Sequence, residues 1–110
     1  MAITVNIYYS GKNGNAVKFA KEMIDLGIVN KIRNASGNLR YEYFLPMEDS
    51  EVVLLIDSWQ NQRALDIHHG SPLMTQIVEL REKYDLHMKV ERYVADESGV
   101  SDLDKSFIRE

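Results

Sequence analysis

Two hydrophobic periodicities take turns along the chain, and their order restricts the fold more than any other feature. Ile3, Val5, Ile7 and Tyr9 alternate with Thr4, Asn6 and Tyr8, the period of a half-buried strand. The run Ser10-Gly-Lys-Asn-Gly-Asn15 is turn chemistry, with Asn15 placed to cap a helix. Ala16, Phe19, Ala20, Met23 and Gly27 then recur at helical spacing, with Lys18, Lys21, Glu22 and Asp25 mostly on the other side. The segment Asn34-Ala-Ser-Gly-Asn38 breaks that pattern, after which Leu39, Tyr41, Tyr43 and Leu45 alternate with Arg40, Glu42 and Phe44 as far as Pro46. Beyond the acidic turn Glu48-Asp-Ser-Glu51, the run Val52 to Ile56 is apolar on both faces, which predicts a strand interior to a sheet, closing at Asp57, Ser58 and Trp59. Gln60 to His69 reads as a short helix, Gly70-Ser-Pro72 interrupts it, and Leu73, Ile77, Leu80 and Tyr84 mark a second helical stripe. Met88, Val90, Arg92 and Val94 form one face of a last strand, opposite His87, Lys89, Glu91 and Tyr93.

The order β-α-β-β-α-β predicts an α+β, ferredoxin-like domain, an antiparallel four-stranded sheet with its helices on one face. The other face then needs a cover, and two such sheets packed face to face supply one, so a homodimer is expected. Residues 1–110 are read as one domain, with a core over about 3–95 and a tail over 96–110. Within that tail Phe107 and Ile108 are the adjacent bulky apolar pair, and they are expected to dock it on its own subunit or on the partner.

Composition excludes several classes of function. The chain has no cysteine, which removes disulfides, thiolate zinc sites, cysteine-ligated clusters and cysteine nucleophiles together. A net charge of −4 has the wrong sign for a general nucleic-acid binder. No window reaches the roughly 18–20 apolar residues of a membrane span, and MAITVNIYYS lacks the basic start of a signal peptide, so a cytoplasmic location is expected. His68 and His69 are adjacent rather than one turn apart and His87 stands alone on a strand, so no metal site is expected. Phosphate-loop, dinucleotide, zinc-protease and hydrolase-elbow motifs are all missing.

What remains is Asp57-Ser-Trp59, followed by Ala64-Leu65, His68 and Ser71-Pro72, with Gly37-Asn-Leu-Arg-Tyr41-Glu42 upstream. This constellation resembles the strand-to-helix signature of the antibiotic biosynthesis monooxygenase family, over roughly residues 3 to 95. Asp57 stands where that family more commonly has Glu, and the tail beyond Ala95 is longer than the minimal domain. The resemblance implies a dimeric α/β barrel with a small cavity between each sheet and its helices. For members that are enzymes it further implies cofactor-free oxygenation of quinol-like or anthrone-like aromatics, with dioxygen as co-substrate.

His68 is the candidate catalytic residue, a general base that takes a proton from a phenolic or activated carbon acid near neutral pH. Activity is then expected to rise through the ordinary imidazole pKa of about 6.5. His69, turned by about 100° on the helix, is expected to face solvent. Asn6 could orient a substrate oxygen through its amide, and Trp59 could wall an aromatic pocket. Heme-degrading relatives in the same superfamily combine a first-strand Asn with a Trp and a further His; here His68 occupies the Trp-equivalent place and Leu73 to Tyr84 holds no His, which disfavours that role. Two other functions stay open: a non-catalytic dimeric module binding a small apolar ligand, and an isomerase of a small phosphorylated signalling molecule. The latter requires a cationic phosphate clamp, and no basic cluster lies near His68 in the sequence.

Overall fold

The computed structural model describes all 110 residues. Its elements are β1 (Ile3–Ser10), α1 (Asn15–Asp25), α2 (Ile28–Arg33), β2 (Asn38–Phe44), β3 (Val52–Trp59), α3 (Gln62–His69), α4 (Leu73–Lys83), β4 (His87–Val94) and α5 (Asp102–Lys105). The strands form one sheet in the order β2-β3-β1-β4 with every neighbouring pair antiparallel, the α+β ferredoxin-like arrangement. β3 lies inside the sheet, as a strand apolar on both faces requires. No helix is long and apolar enough to cross a membrane.

Residues directly opposite one another on antiparallel strands share a face, and this register gathers the core. Ile3 stands opposite Trp59, Ile7 opposite Leu55 and Tyr9 opposite Val53, and all six are buried. Tyr41 of β2 joins them, and Phe19 and Met23 of α1, Ile32 of α2, Leu65 of α3 and Ile77 of α4 complete the cluster. Thr4, Asn6 and Tyr8 alternate to the helix-free face, where the Thr4 and Ser58 hydroxyls pair at 2.8 Å. Arg40 and Glu42, on one face of β2, pair with each other at 2.9 Å.

The structure departs from the sequence reading in three places. Asn15 is the first residue of α1 and not its cap; Gly14 holds that position at φ 72°, and the Asn15 amide instead donates to the Tyr84 carbonyl at 3.1 Å. The first helical stripe does not run on as one helix to Gly27, because the chain turns at Leu26-Gly27 and restarts as α2, which buries Ile28, Val29 and Ile32. Six residues are too few for a helical period to declare itself. β2 ends at Phe44, short of Pro46, and leaves Leu45 exposed, whereas β3 closes at Trp59 as expected. In the single chain the tail pair is exposed, Phe107 at 81% and Ile108 at 52%, so of the two expected docking sites its own subunit is not used.

One glycine sets the spacing between β2 and α3. Gly37 adopts φ 85°, its carbonyl accepts the Gln60 N–H at 2.8 Å, and a Cβ there would stand 2.6 Å from the Ala64 Cβ. Gly37→Ala therefore combines backbone strain with a collision against α3. It is expected to lower stability by about 2–5 kcal/mol, read from urea or thermal unfolding. A change within a few tenths would show that α3 moves aside freely.

Candidate functional site

The site is built where β3 hands the chain to α3. Asn61 caps α3, its Oδ1 accepting the Ala64 N–H at 2.9 Å, and this fixes the rotational phase of the helix. Leu65 and His68, three residues apart, consequently share the buried face. His68 is only 6% exposed, and its imidazole stacks on the Trp59 indole with ring centroids 4.7 Å apart and planes 24° from parallel. The Trp59 Nε1–H donates to Asp57 Oδ1 at 2.7 Å, a bond between side chains on the same face of β3. Asp57, Trp59 and His68 thus form one buried unit.

Two cavities meet at this unit. The outer one, about 340 Å³, is lined by Trp59, Gln60, Arg63, Ala64, Ile67, His68, Ser71 and Leu73 together with the Ala35–Gly37 turn. The inner one, about 250 Å³, lies between sheet and helices and is lined by Val5, Ile7, Tyr41, Leu55, Asp57, His68, Met74, Ile77 and Arg81, with His69, Met88 and Val90 also on its wall. His68 belongs to both walls. Ser71 lines the outer cavity and Arg81 the inner one; Ser71 Oγ and Arg81 Nε are themselves buried with no partner in the chain.

Burial displaces the charges of the unit in opposite directions. His68 is pushed down to about 4, first by desolvation and then by the His69 and Arg81 charges, so its imidazole is neutral at pH 7. This lies below the ordinary imidazole value of about 6.5. Asp57 is pushed up to about 6 by burial, against the opposing pull of the Trp59 hydrogen bond and the Arg81 charge. Arg81 itself donates to the Tyr9 hydroxyl at 2.8 Å and lies over the Tyr9 ring, while burial raises the pKa of Tyr9 and of Tyr41. No group of three or more His, Cys, Asp or Glu side chains is placed to hold a metal ion.

These opposed shifts predict a pH signature. Between about 4 and the ordinary 6.5, the unfolded chain binds a proton at His68 that the native state does not, so this group's contribution is lost as pH falls. Between the ordinary 3.8 and about 6 the native state holds an extra proton on Asp57, so that contribution is lost as pH rises. The two slopes oppose each other. Relative to the unchanged chain, Asp57→Asn is expected to leave stability rising with pH across this range. His68→Phe should leave it falling. Denaturant midpoints measured from pH 4 to 7 check the signs, and parallel slopes in the two variants would rule the pair out.

Of the residues singled out in the sequence, the structure brings His68 and Trp59 together and leaves Asn6 apart. Asn6 lines neither cavity; strand alternation turns it to the helix-free face, where its Oδ1 is buried without a partner. His69 is exposed, as expected, yet also reaches the rim of the inner cavity. Arg81 was missed. Its signal was present, since it follows Ile77 by four residues and Leu73 by eight, placing a charge on the apolar stripe of α4.

The sequence profile of the family described as antibiotic biosynthesis monooxygenase matches residues 2–80. The chain belongs to the antibiotic biosynthesis monooxygenase family. Solved structures similar to it share the fold at low identity. A proposed antibiotic biosynthesis monooxygenase from Deinococcus radiodurans is 21% identical with a TM-score of 0.73, covering 87% of this chain and 93% of that one. A conserved protein from Methanosarcina mazei is 18% identical with a TM-score of 0.74, covering 87% and 94%. A mutant form of SnoaB, a cofactor-independent oxygenase from Streptomyces nogalater, is 11% identical with a TM-score of 0.71, covering 86% and 92%. No curated protein sequence matches this family member significantly. The family match ends within α4, so β4 and the tail lie outside it.

Proposed function

We propose that this chain is a cofactor-independent monooxygenase of a small quinol-type or anthrone-type aromatic, with His68 as general base and Trp59 as the wall on which the substrate ring packs. The observation that carries the reading is a buried, neutral imidazole on the walls of two adjoining cavities. The neutral ring nitrogen takes a proton from the substrate. The resulting carbanion passes one electron to dioxygen, and the radical pair recombines to a hydroperoxide anion that recovers the proton. Loss of water then leaves a carbonyl on the substrate, so one oxygen atom enters the product and the other departs as water. Arg81 lines the inner cavity, where its cation would stabilise a forming oxyanion. The functional unit is a homodimer joined through the helix-free faces, the face to which Asn6 is turned.

One observation favours a second reading, a non-catalytic dimeric ligand-binding module: the His68 ring is stacked flat on Trp59 and held neutral, as a purely packed imidazole would be. The isomerase reading gains less, because Arg63 and Arg81 line different cavities and form no common clamp. Dioxygen uptake over a panel of quinols and anthrones, without added metal or flavin, separates the first two. Uptake that depends on His68 supports the oxygenase; saturable binding without uptake supports the module.

A further inference from the structure

Loss of water from a hydroperoxide needs two groups at once. One takes the proton from the carbon that becomes the carbonyl, while the other gives a proton to the departing oxygen, because bare hydroxide leaves poorly near neutral pH. His68 fills the first place, since its imidazole is neutral again once the peroxide has recovered its proton. One imidazole cannot do both in a single step.

The wall of the inner cavity carries Tyr41, Asp57, His69 and Arg81 besides His68. Burial raises Tyr41 well above the ordinary phenol value, which makes it too weak an acid. The Arg81 guanidinium does not give up its protons, and His69 is exposed, where water competes for its proton. Asp57 is left. It is buried, and it stands opposite Val5 and Tyr41 in the sheet, on the helix side where the cavity lies.

The indole bond prepares this carboxyl for donation. Trp59 Nε1–H donates to Oδ1 at 2.7 Å, so in the neutral acid Oδ1 is the accepting oxygen and the acidic hydrogen sits on Oδ2. Around the carboxyl stand Tyr9 from β1, Tyr41 and Tyr43 from β2, His68 from α3 and Arg81 from α4. The Arg81 charge opposes protonation, but burial outweighs it and pushes Asp57 up to about 6, near the pH at which a donor is most effective. A substrate filling the cavity displaces water and strengthens that burial.

We propose that Asp57 is the general acid of this closing step, giving its carboxyl hydrogen to the departing oxygen while His68 takes the proton from carbon. In the oxygenase reading, on which this assignment rests, the O–O bond breaks and the C–H electron pair becomes the second bond of the new carbonyl. The departing hydroxide leaves as water with the Asp57 proton. The imidazolium then returns its proton to the carboxylate through the cavity they share, in the direction their displaced pKa values favour, and both groups regain their starting states.

The quantity that tests this is the yield of carbonyl per dioxygen consumed, with 1,8-dihydroxyanthrone as the probe and free hydroperoxide counted by iron–xylenol orange. In the unchanged chain the yield is expected to fall, and hydroperoxide to rise in step, as pH increases through about 6. Uncatalysed water loss is faster in base, so the background runs the opposite way. Asp57→Asn keeps an oxygen to accept the indole N–H but has no acid to give. It is expected to release hydroperoxide throughout this range, with conversion of hydroperoxide to carbonyl slowed by about 10²-fold or more. A carboxyl that only holds Trp59 in place would change the rate and not the product ratio. A ratio in Asp57→Asn equal to that of the unchanged chain, or a ratio in the unchanged chain that does not move with pH, overturns the general-acid role and leaves the oxygenase reading standing. Absence of His68-dependent dioxygen uptake overturns both.

Discussion

Replacing His68 with Phe is expected to reduce quinol-dependent dioxygen uptake by about 10²–10⁴-fold, the usual contribution of a positioned general base. Phe is chosen because His68 is packed as well as basic: it is stacked on Trp59 at 4.7 Å, and a phenyl ring retains that stack while removing the nitrogen. His68→Ala should lose the same activity but also lower the melting temperature, since it empties space beside the indole. His69→Ala, on the exposed side of the same turn, should change the rate little. With its pKa near 4, His68 remains in the proton-accepting form from pH 5 to pH 8, so uptake should not follow an imidazole titration near 6.5. A transition near pH 6 would instead belong to Asp57 and should disappear in Asp57→Asn. Equal losses in the His68 and His69 variants, or full activity in His68→Phe, would transfer the assignment to the ligand-binding module.

The largest loss of stability is expected at Trp59. Its side chain heads the fully buried residues, stands opposite Ile3 and Asn38 in the sheet, stacks on His68 and donates the hydrogen bond that Asp57 accepts. Trp59→Ala should cost about 3–5 kcal/mol from lost burial and the cavity left behind. Trp59→Phe separates the two roles, because it keeps most of the packing and deletes only the Nε1–H. It should cost about 1–3 kcal/mol and push Asp57 further up, since the hydrogen bond that holds its carboxylate down is gone. Chemical denaturation together with the carbon NMR titration of the Asp57 carboxyl measures both effects. An unmoved Asp57 titration would show that the indole bond does not govern that carboxyl.

The elements that could be read in advance were those whose period repeats at least twice. β1 alternates over Ile3–Tyr9 and α1 repeats from Ala16 to Met23, and both formed where that patterning put them. α2 escaped because one and a half turns show no period, and the N-terminal cap of α1 was misplaced because Gly14 and Asn15 both suit that turn. At the site, His68 and Trp59 stood out through their residue types and spacing. Arg81 did not, since a single charge on an apolar stripe becomes meaningful only when the surface opposite it is known.

Order and alternation along the chain thus determined the antiparallel α+β sheet, its interior strand and the face each strand residue takes, because a period of 2 or 3.6 is a local property of consecutive side chains. Chemical environment was beyond its reach. That His68 is neutral while Asp57 holds its proton to about pH 6 depends on how deeply folding buries both, with Arg81 arriving from α4 to favour the neutral imidazole and to oppose the protonated carboxyl. That Asn6 lies across the sheet from His68 depends on which face of β1 the helices cover, a choice made by the whole core at once. Burial and field sum contributions from residues far apart in the chain, so they exist only once the tertiary structure has brought those residues together.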